Sequence, residues 1–266
     1  RVPGPILVKA SDHINDMLTG GGPLSFSSGG EQIEVVQSLA KWKRLAIHRL
    51  GLEPGDGLYV DMHAIRMDEM MDPTHSHHVE QIDWEVHILP ENRSINYLRS
   101  VVVDIYDAIL QVEDDVRHLH PEIDGPRLAP RIHFITKRSL DHLYPDMGEK
   151  EKEDAIAKIH GSVCIIGIGA PYRSWEYDDW DLNADIIIWS HQLQRSVEIS
   201  SMGIRVNAES MQKQASMVGA HIPSSDYHNG VMEATIPMTI GGGIGKARLA
   251  MVLMGKTDIR DVHPCI

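Results

Sequence analysis

Cysteine is scarce, with two in 266 residues. Cys164 lies inside the apolar run VCIIGIG and Cys265 stands next to the C-terminus, so the sequence offers no disulfide framework. A chain of this length can bury enough apolar surface to fold without covalent staples. A reducing, cytoplasmic compartment is the expectation. Basic residues are also in the minority. Twenty-five Lys and Arg stand against 38 Asp and Glu, giving a formal net charge of −13. A surface that grips nucleic acid needs clustered Lys and Arg, so no nucleic-acid partner is expected. An acidic total still leaves room for a local basic pocket. No apolar stretch approaches the roughly 20 residues needed to cross a bilayer, so no membrane partner is expected. No signal-peptide pattern opens the chain, although residue 1 is Arg rather than Met. Internal repeats and coiled-coil heptads are absent as well.

Several signatures of known chemistry are missing too. The segment GGGIGKAR (241–248) fits neither the phosphate loop GxxxxGK(S/T) nor the dinucleotide fingerprint GxGxxG. No GxSxG elbow occurs, and neither cysteine has the local context of a nucleophile. There are sixteen histidines, and His75, His77 and His78 cluster. No Cys/His spacing or HExxH pattern accompanies them, so the sequence by itself does not indicate zinc.

The patterns present describe an α+β chain. Residues 6–9 read as a strand, residues 20–31 as a Gly/Ser-rich loop containing no element, and 34–36 as a strand end. Ser38 is placed to cap a helix over 39–50. Residues 57–67 read as a strand after the turn at Gly55-Asp56-Gly57, and 75–87 as its antiparallel partner. Gln81, Asp83 and Glu85 then share one face, because strand side chains alternate. A helix follows over 94–118, with Val102, Ile105, Ile109 and Val112 on one side. Strands are expected at 132–136 and 163–168, with a helix at 150–159 between them. Residues 186–189 and 197–206 read as two strands joined by His191 to Gln194, and 208–218 as a helix. The glycines 241–245 are expected to open a helix over 246–254. The sum is a single domain over 1–266, built on a mostly antiparallel sheet flanked by helices.

Certain residues could carry chemistry. Glycines let backbone approach a ligand, and a helix start favours anions. Arg248, one turn inside the last helix, could reach a nucleotide phosphate or stack on a purine; the plain alternative is a tight turn before a packed helix. Arg66, at a strand end, could neutralise an α-phosphate, or could simply pair with Asp68 or Glu69. Asp185 and Glu198 sit on neighbouring strands and could hold Mg²⁺, or could be solvated acids. Glu198 and Ser200 share a face by the two-residue period, with Ser201 opposite unless a bulge intervenes. Lys43, in LysTrpLys (41–43), could bind a carboxylate or belong to a basic helix surface. The acids of 176–181 around Trp180 could grip an ammonium group or form an exposed loop.

In order along the chain, EVVQSLAKWKR (34–44), GDGLYVDMHAIRMDE (55–69), QIDWE (81–85), DDW (178–180), NADIIIW (183–189), EISSMGIRV (198–206) and TIGGGIGKARL (239–249) resemble one family. It is the ammonia-dependent asparagine synthetases, or aspartate–ammonia ligases, which are similar to the catalytic core of class II aminoacyl-tRNA synthetases. The resemblance runs from about Asp16 to the C-terminus. It implies that ATP activates the β-carboxylate of aspartate as an adenylate, which ammonia then converts to asparagine, releasing AMP. By the same resemblance Arg66, Lys43, Arg248 and Asp16 carry the chemistry. Asp16, Lys43, Gln81, Asp83, Asp178, Ser200, Ser201 and Arg205 face aspartate. Arg66, His75, Glu198, Gly243, Gly245 and Arg248 face ATP, and Asp185 and Glu198 hold Mg²⁺. A homodimer is implied. The segments 20–30, 169–178 and 180–183 are shorter than the family pattern. Two alternatives remain at this point: an aspartyl- or asparaginyl-tRNA synthetase-like core, and a non-catalytic paralogue that binds aspartate or AMP.

Overall fold

The computed structural model describes residues 1–16, 22–67, 71–123 and 125–263. Asp68, Glu69 and Cys265, named above, lie outside them. A small antiparallel sheet is made by β1 (Leu7–Lys9), β2 (Ser25–Ser28) and β3 (Glu31–Val35), in the order β1-β3-β2. Next come α1 (Ala40–Arg49), β4 (Gly57–Ile65), β5 (His78–His87) and the long α2 (Ile95–Leu119). Then follow β6 (His133–Thr136), α3 (Lys137–Leu143), α4 (Glu149–His160) and β7 (Ser162–Ile166). The chain continues through β8 (Asp178–Ser190), β9 (Arg195–Arg205), α5 (Ala208–Val218) and α6 (Asp226–Met232). It closes with β10 (Thr239–Gly245) and α7 (Lys246–Leu253).

The large sheet has the order β4-β5-β10-β9-β8-β7-β6. Every neighbouring pair is antiparallel except β6 with β7. Its two faces differ in chemistry because side chains alternate along each strand. One face is apolar. There Leu98, Val102, Tyr106 and Ile109 of α2 pack on Ile186, Ile188, Met202, Ile204 and Ile240. These α2 positions recur at three or four residues, the spacing of one helical side. Ser94 caps the helix by accepting a hydrogen bond from Tyr97 N. The expected stripe is close to the observed one, but Val112 is exposed.

On the opposite face α1 covers the β4 end, through Leu39, Ala46 and Ile47 against Leu58, Val60, Met62 and Ala64. The rest of that face carries the polar side chains of the candidate site. It is the face of Gln81, Asp83 and Glu85, which pair across with Met62, Val60 and Leu58.

Three expectations change. The loop expected at 20–31 contains β2, which turns into β3 through Gly29 and Gly30, both at positive φ. SerPheSerSer is exposed throughout and so carries no burial alternation to announce a strand. The glycine run 241–245 is strand β10, hydrogen-bonded between β5 and β9 in the middle of the sheet. Its N–H groups serve the ladders, so it is not an anion-binding helix start; α7 begins after it. Finally, β8 starts at Asp178, eight positions before the expected strand, because polar residues needed on one face interrupt its apolar pattern.

Candidate active site

The site grows from the central strands. β10 supplies Gly241 and Gly243 on the polar face, opposite Glu85 and Asp83 of β5 on one side and Gly203 and Ser201 of β9 on the other. The missing side chains make room for long neighbours. A Cβ on Gly241 would stand 1.9 Å from Glu85 Oε2, and one on Gly243 would stand 2.4 Å from Gln81 Oε1. A Cβ on Gly203 would meet Asp178 Oδ1 at 2.8 Å. Glycine here forms a floor across which polar side chains lie.

Those side chains are tightly organised. Arg205 donates from Nε to Glu85 Oε1 at 2.9 Å and from Nη2 to Glu85 Oε2 at 2.7 Å, a two-pronged pair. Its Nη1 also donates to Asp178, and its guanidinium lies over the Tyr177 ring. Thr239 Oγ1 donates to Glu85 at 2.7 Å. Burial alone would raise the Glu85 pKa, but Arg205, Lys43 and Thr239 outweigh it and hold the carboxyl below its ordinary value. Lys43 reaches from α1 to Asp83 Oδ1 at 2.6 Å and to the carbonyls of Trp84 and Gly242. Burial raises the Asp83 pKa against the pull of Lys43. Lys41, Lys43 and Arg44 are all almost wholly buried, so the LysTrpLys motif is no basic helix surface. Each of the three has carboxylate or carbonyl partners.

A cavity of about 270 Å³ opens above this floor. Lys43, Arg66, His75, Gln81, Asp83, Asp178, Glu198, Ser201, Arg205, Gly243 and Arg248 all border it. A narrower recess of about 50 Å³ adjoins it and shares Arg66, His75, Gln81, Glu198, Gly243 and Arg248, adding Gly245. Arg66 and Arg248 therefore meet one space, though 182 positions separate them in sequence. Arg66 follows β4 and contacts Gln37 O at 3.4 Å. Arg248 donates to Thr74 O at 3.1 Å and Glu198 O at 3.3 Å, and its Nη1 lies 3.9 Å from Glu198 Oε1. Asp72 positions His75, its carboxylate Oδ1 standing 2.7 Å from His75 Nδ1.

Three expected residues stand elsewhere. Asp16 does not border the cavity. It is buried against Lys41 Nζ at 3.0 Å, and Lys41 also holds Glu176 at 3.0 Å. Burial pushes the Asp16 carboxyl up to about 7, opposed by Lys41 and reinforced by Glu176. Ser200 faces the apolar side. Ser200 pairs with Ile186 but Glu198 pairs with Ile187, so Ile199 is an extra residue in the ladder. This bulge puts Glu198 and Ser201 on one face and leaves Ser200 on the other, reversing the two-residue period. Ser200 Oγ is buried with no hydrogen-bond partner among the described residues. Asp185 borders a third cavity of about 340 Å³, which Glu198, Glu153 and Arg173 share.

The Asp185 and Glu198 pair passes a chemical test for a divalent cation. Burial pushes the Asp185 carboxyl up to about 7; Arg173 opposes this and the like charge of Glu198 adds to it. Two oxygen-bearing acids that repel each other at one cavity suit a hard cation. Arg173 donates to Asp185 and supplies positive charge there now.

The family model described as aspartate-ammonia ligase matches residues 1–266. The chain belongs to the aspartate–ammonia ligase family. Curated aspartate–ammonia ligases of Bacillus thuringiensis (strain Al Hakam) and Bacillus cereus (strain 03BB102) are 43% identical over 278 positions, covering 100% of this chain and 85% of each relative. The fold is that of class II tRNA synthetase catalytic cores. The asparaginyl-tRNA synthetase of Pyrococcus horikoshii complexed with asparaginyl-adenylate superposes with TM-score 0.76 at 14% identity, over 96% of this chain and 60% of that one. That of Entamoeba histolytica, also with asparaginyl-adenylate, gives TM-score 0.69 at 16% identity, over 98% and 60%. This ligase-family member therefore spans about 60% of the length of those synthetases.

Sequence reasoning missed several residues of the candidate site of this ligase-family chain. Arg173 and Tyr172 border the cavity from a stretch with no periodic pattern. Glu85 was placed on the right face, but its pairing with Arg205 needs the strand order β5-β10-β9, which no local signal reveals. Of the acids at 176–181, only Asp178 borders the cavity. Glu176 is held by Lys41 and His228, Asp179 by Arg93, and Asp181 lies 3.7 Å from Lys213.

Proposed function

We propose that residues 1–266 form one catalytic domain that makes L-asparagine from L-aspartate and ammonia by way of β-aspartyl-AMP. One observation carries the reading: two arginines and an acid, Arg66, Arg248 and Glu198, share a recess that opens onto a floor of fixed polar groups. The arginines at the recess suit the phosphates of a nucleoside triphosphate, and the floor suits a small zwitterion with an extra carboxylate. Two synthetases of the same fold are complexes with an aminoacyl adenylate, which supports the same arrangement here.

The chemistry follows from charge. A carboxylate is a poor electrophile until one of its oxygens becomes a good leaving group. The β-carboxylate oxygen of aspartate attacks the α-phosphorus of ATP, and the bond to pyrophosphate breaks. Two anions must approach, so positive charge is required at the meeting point. Arg66 neutralises the α-phosphate, and Arg248 holds the nucleotide against the recess wall. Lys43 and Arg205 provide the positive end of the aspartate floor, while Gln81, Asp83, Asp178 and Ser201 orient its polar groups. Ammonia then attacks the activated carbonyl, and AMP leaves. Asp185 and Glu198 would hold Mg²⁺, which when bound offsets phosphate charge. Asp16 acts from behind the floor by holding Lys41, which in turn holds Glu176, rather than by touching aspartate.

The proposal extends to a cytoplasmic homodimer. Among the described residues no helix is long and apolar enough to cross a membrane. An apolar groove of about 640 Å³ between α2 and α7, with Ile82, Val112, Ile244 and Leu249, is surface of the kind that copies bury. Light scattering that reports one chain per particle would remove this part.

The test of the whole is a product assay with ATP, Mg²⁺, aspartate and ammonium. Asparagine and AMP should rise together. Formation of ADP in place of AMP overturns the adenylate route. Charging of tRNA with aspartate or asparagine, without free asparagine, would instead support the synthetase-like alternative.

A further inference from the structure

The outer face of the β4–β5 hairpin, turned away from the aspartate floor, gathers three imidazoles and one carboxylate. His63 of β4 lies directly across from Glu80 of β5, and His78 lies across from Ile65. His78 and Glu80 are two residues apart on one strand, so they share the face that His63 occupies. His263 reaches the same place from the C-terminal segment. A short turn (Ile259–Asp261) positions it, and Ile259 N is anchored to Pro73 O at 2.8 Å. The register of one hairpin plus the return of a distant segment makes the cluster, which is why the histidine spacing in the sequence does not announce it.

The distances have a particular meaning. His63 Nδ1 is 3.1 Å from His78 Nε2 and 3.2 Å from Glu80 Oε1. His263 Nε2 is 3.4 Å from Glu80 Oε2, and the His78 and His263 rings are 4.9 Å apart. One donor atom each from His63, His78 and Glu80 falls within 4.8 Å of the others. Around a tetrahedral zinc ion with bonds of about 2.0–2.1 Å, neighbouring ligand atoms are separated by about 3.3 Å. The separations of His63 Nδ1 from His78 Nε2 and from Glu80 Oε1 lie close to that edge length, while His263 meets the other oxygen of Glu80.

Hydrogen bonds alone serve the cluster poorly. His63 Nδ1 carries either one hydrogen or one lone pair, yet it faces both a ring nitrogen and a carboxylate oxygen. As a donor it satisfies one of them; as an acceptor it faces a carboxylate that has no hydrogen to give. A cation at the centre satisfies all the lone pairs at once. Two imidazole nitrogens and one carboxylate oxygen select a borderline ion of the zinc class, since imidazole suits zinc whereas magnesium prefers oxygen. The His63 side chain is 42% exposed and that of Glu80 25%, so an ion can enter from solvent.

We propose that His63, His78 and Glu80 form a zinc-class metal site, with His263 bracing Glu80 from behind, separate from the acid pair at Asp185 and Glu198. The ion ties β4 to β5, and Glu80 carries the tie on to His263 of the C-terminal segment. It does so beside the nucleotide recess, whose wall includes His78 and Glu80. The role is that of a staple: the ion holds the recess wall and takes no part in the reaction.

The experiment uses the full chain stripped with a chelator and then titrated with Zn²⁺, followed by elemental analysis and thermal melting. A parallel titration with Co²⁺ reports coordination by visible absorption. One ion per chain, a higher melting temperature with Zn²⁺ and the intense visible bands of tetrahedral cobalt are expected. His78→Gln and Glu80→Gln should weaken binding by at least about 10²-fold and abolish the melting shift. Should those variants fail to fold, His63→Gln decides, because its side chain is half exposed on an edge strand. Absence of stoichiometric binding to the parent chain overturns the site. So does Zn²⁺ binding that stays equally tight in His63→Gln, which would mark adventitious surface histidines.

Discussion

Alanine at position 241 would put a methyl carbon 1.9 Å from Glu85 Oε2, 2.5 Å from Glu85 Cδ and 2.6 Å from Arg205 Nη2. The carboxylate must retreat by more than about 1 Å to restore an ordinary carbon–oxygen contact of about 3.3 Å. It has nowhere to go without loss. Glu85 is fully buried, accepts two bonds from Arg205 and one from Thr239, and stands 3.7 Å from Lys43 Nζ. Separating a buried ion pair leaves uncompensated charge and costs about 3–5 kcal/mol. For a chain of this size that corresponds to a fall in Tm of about 6–20 °C. The internal control is Gly245→Ala, four residues on in the same strand. Its new Cβ meets nothing closer than 3.7 Å and its φ is −70°, so its stability should change by no more than about 0.5 kcal/mol. Denaturant unfolding of both variants makes the comparison. Aspartate kinetics on Gly241→Ala should show catalytic efficiency lowered by about 10²-fold, because Arg205 moves with Glu85. If Gly241→Ala unfolds and turns over like the parent chain, the glycine floor is not what positions Arg205.

Other residues make separate claims. Arg66→Ala should lower the rate of AMP formation by about 10²-fold or more with little change in Tm, and a near-normal rate would retire its role on the α-phosphate. Asp185→Asn should raise the Mg²⁺ concentration for half-maximal activity about tenfold or more, while an unchanged Mg²⁺ dependence would separate Asp185 from the metal. The Asp16 carboxyl is raised by burial from its ordinary value to about 7, so its favourable contribution is full below about pH 4 and is lost as pH rises through 7. Asp16→Asn should therefore gain stability relative to the parent chain between pH 5 and pH 8, by about 2–4 kcal/mol; a constant difference across that range contradicts the shift.

Much of the fold was legible because burial writes a period into the sequence. The helix from Ser94 and the hairpin of β4 with β5 were readable from spacing alone, and so was the shared face of Gln81, Asp83 and Glu85. What could not be read depended on partners far away in the chain. Ile199 is an ordinary strand residue by composition, and only the pairing of Glu198 with Ile187 reveals the bulge that turns Ser200 away from the cavity. The glycines of β10 read as the opening of an anion-favouring helix until β5 and β9 are seen lying on either side, with Gln81 and Glu85 above them. Arg173 comes from an irregular stretch, and α3 and α6 are too short to show a period. The placement of Arg66 and Arg248 at one recess rests on the family resemblance together with the strand order, since nothing in the spacing between them encodes it.

The proposed adenylate step is open to direct measurement. Aspartate carrying heavy oxygen in its β-carboxylate is incubated with ATP, Mg²⁺ and ammonium, and each phosphorus product is analysed by mass. In that route the β-carboxylate oxygen bonds to the α-phosphorus and departs with AMP when ammonia attacks the acyl carbon, so one labelled oxygen should appear in AMP for each asparagine formed. Label in inorganic phosphate accompanied by ADP, or AMP without label, would contradict the account.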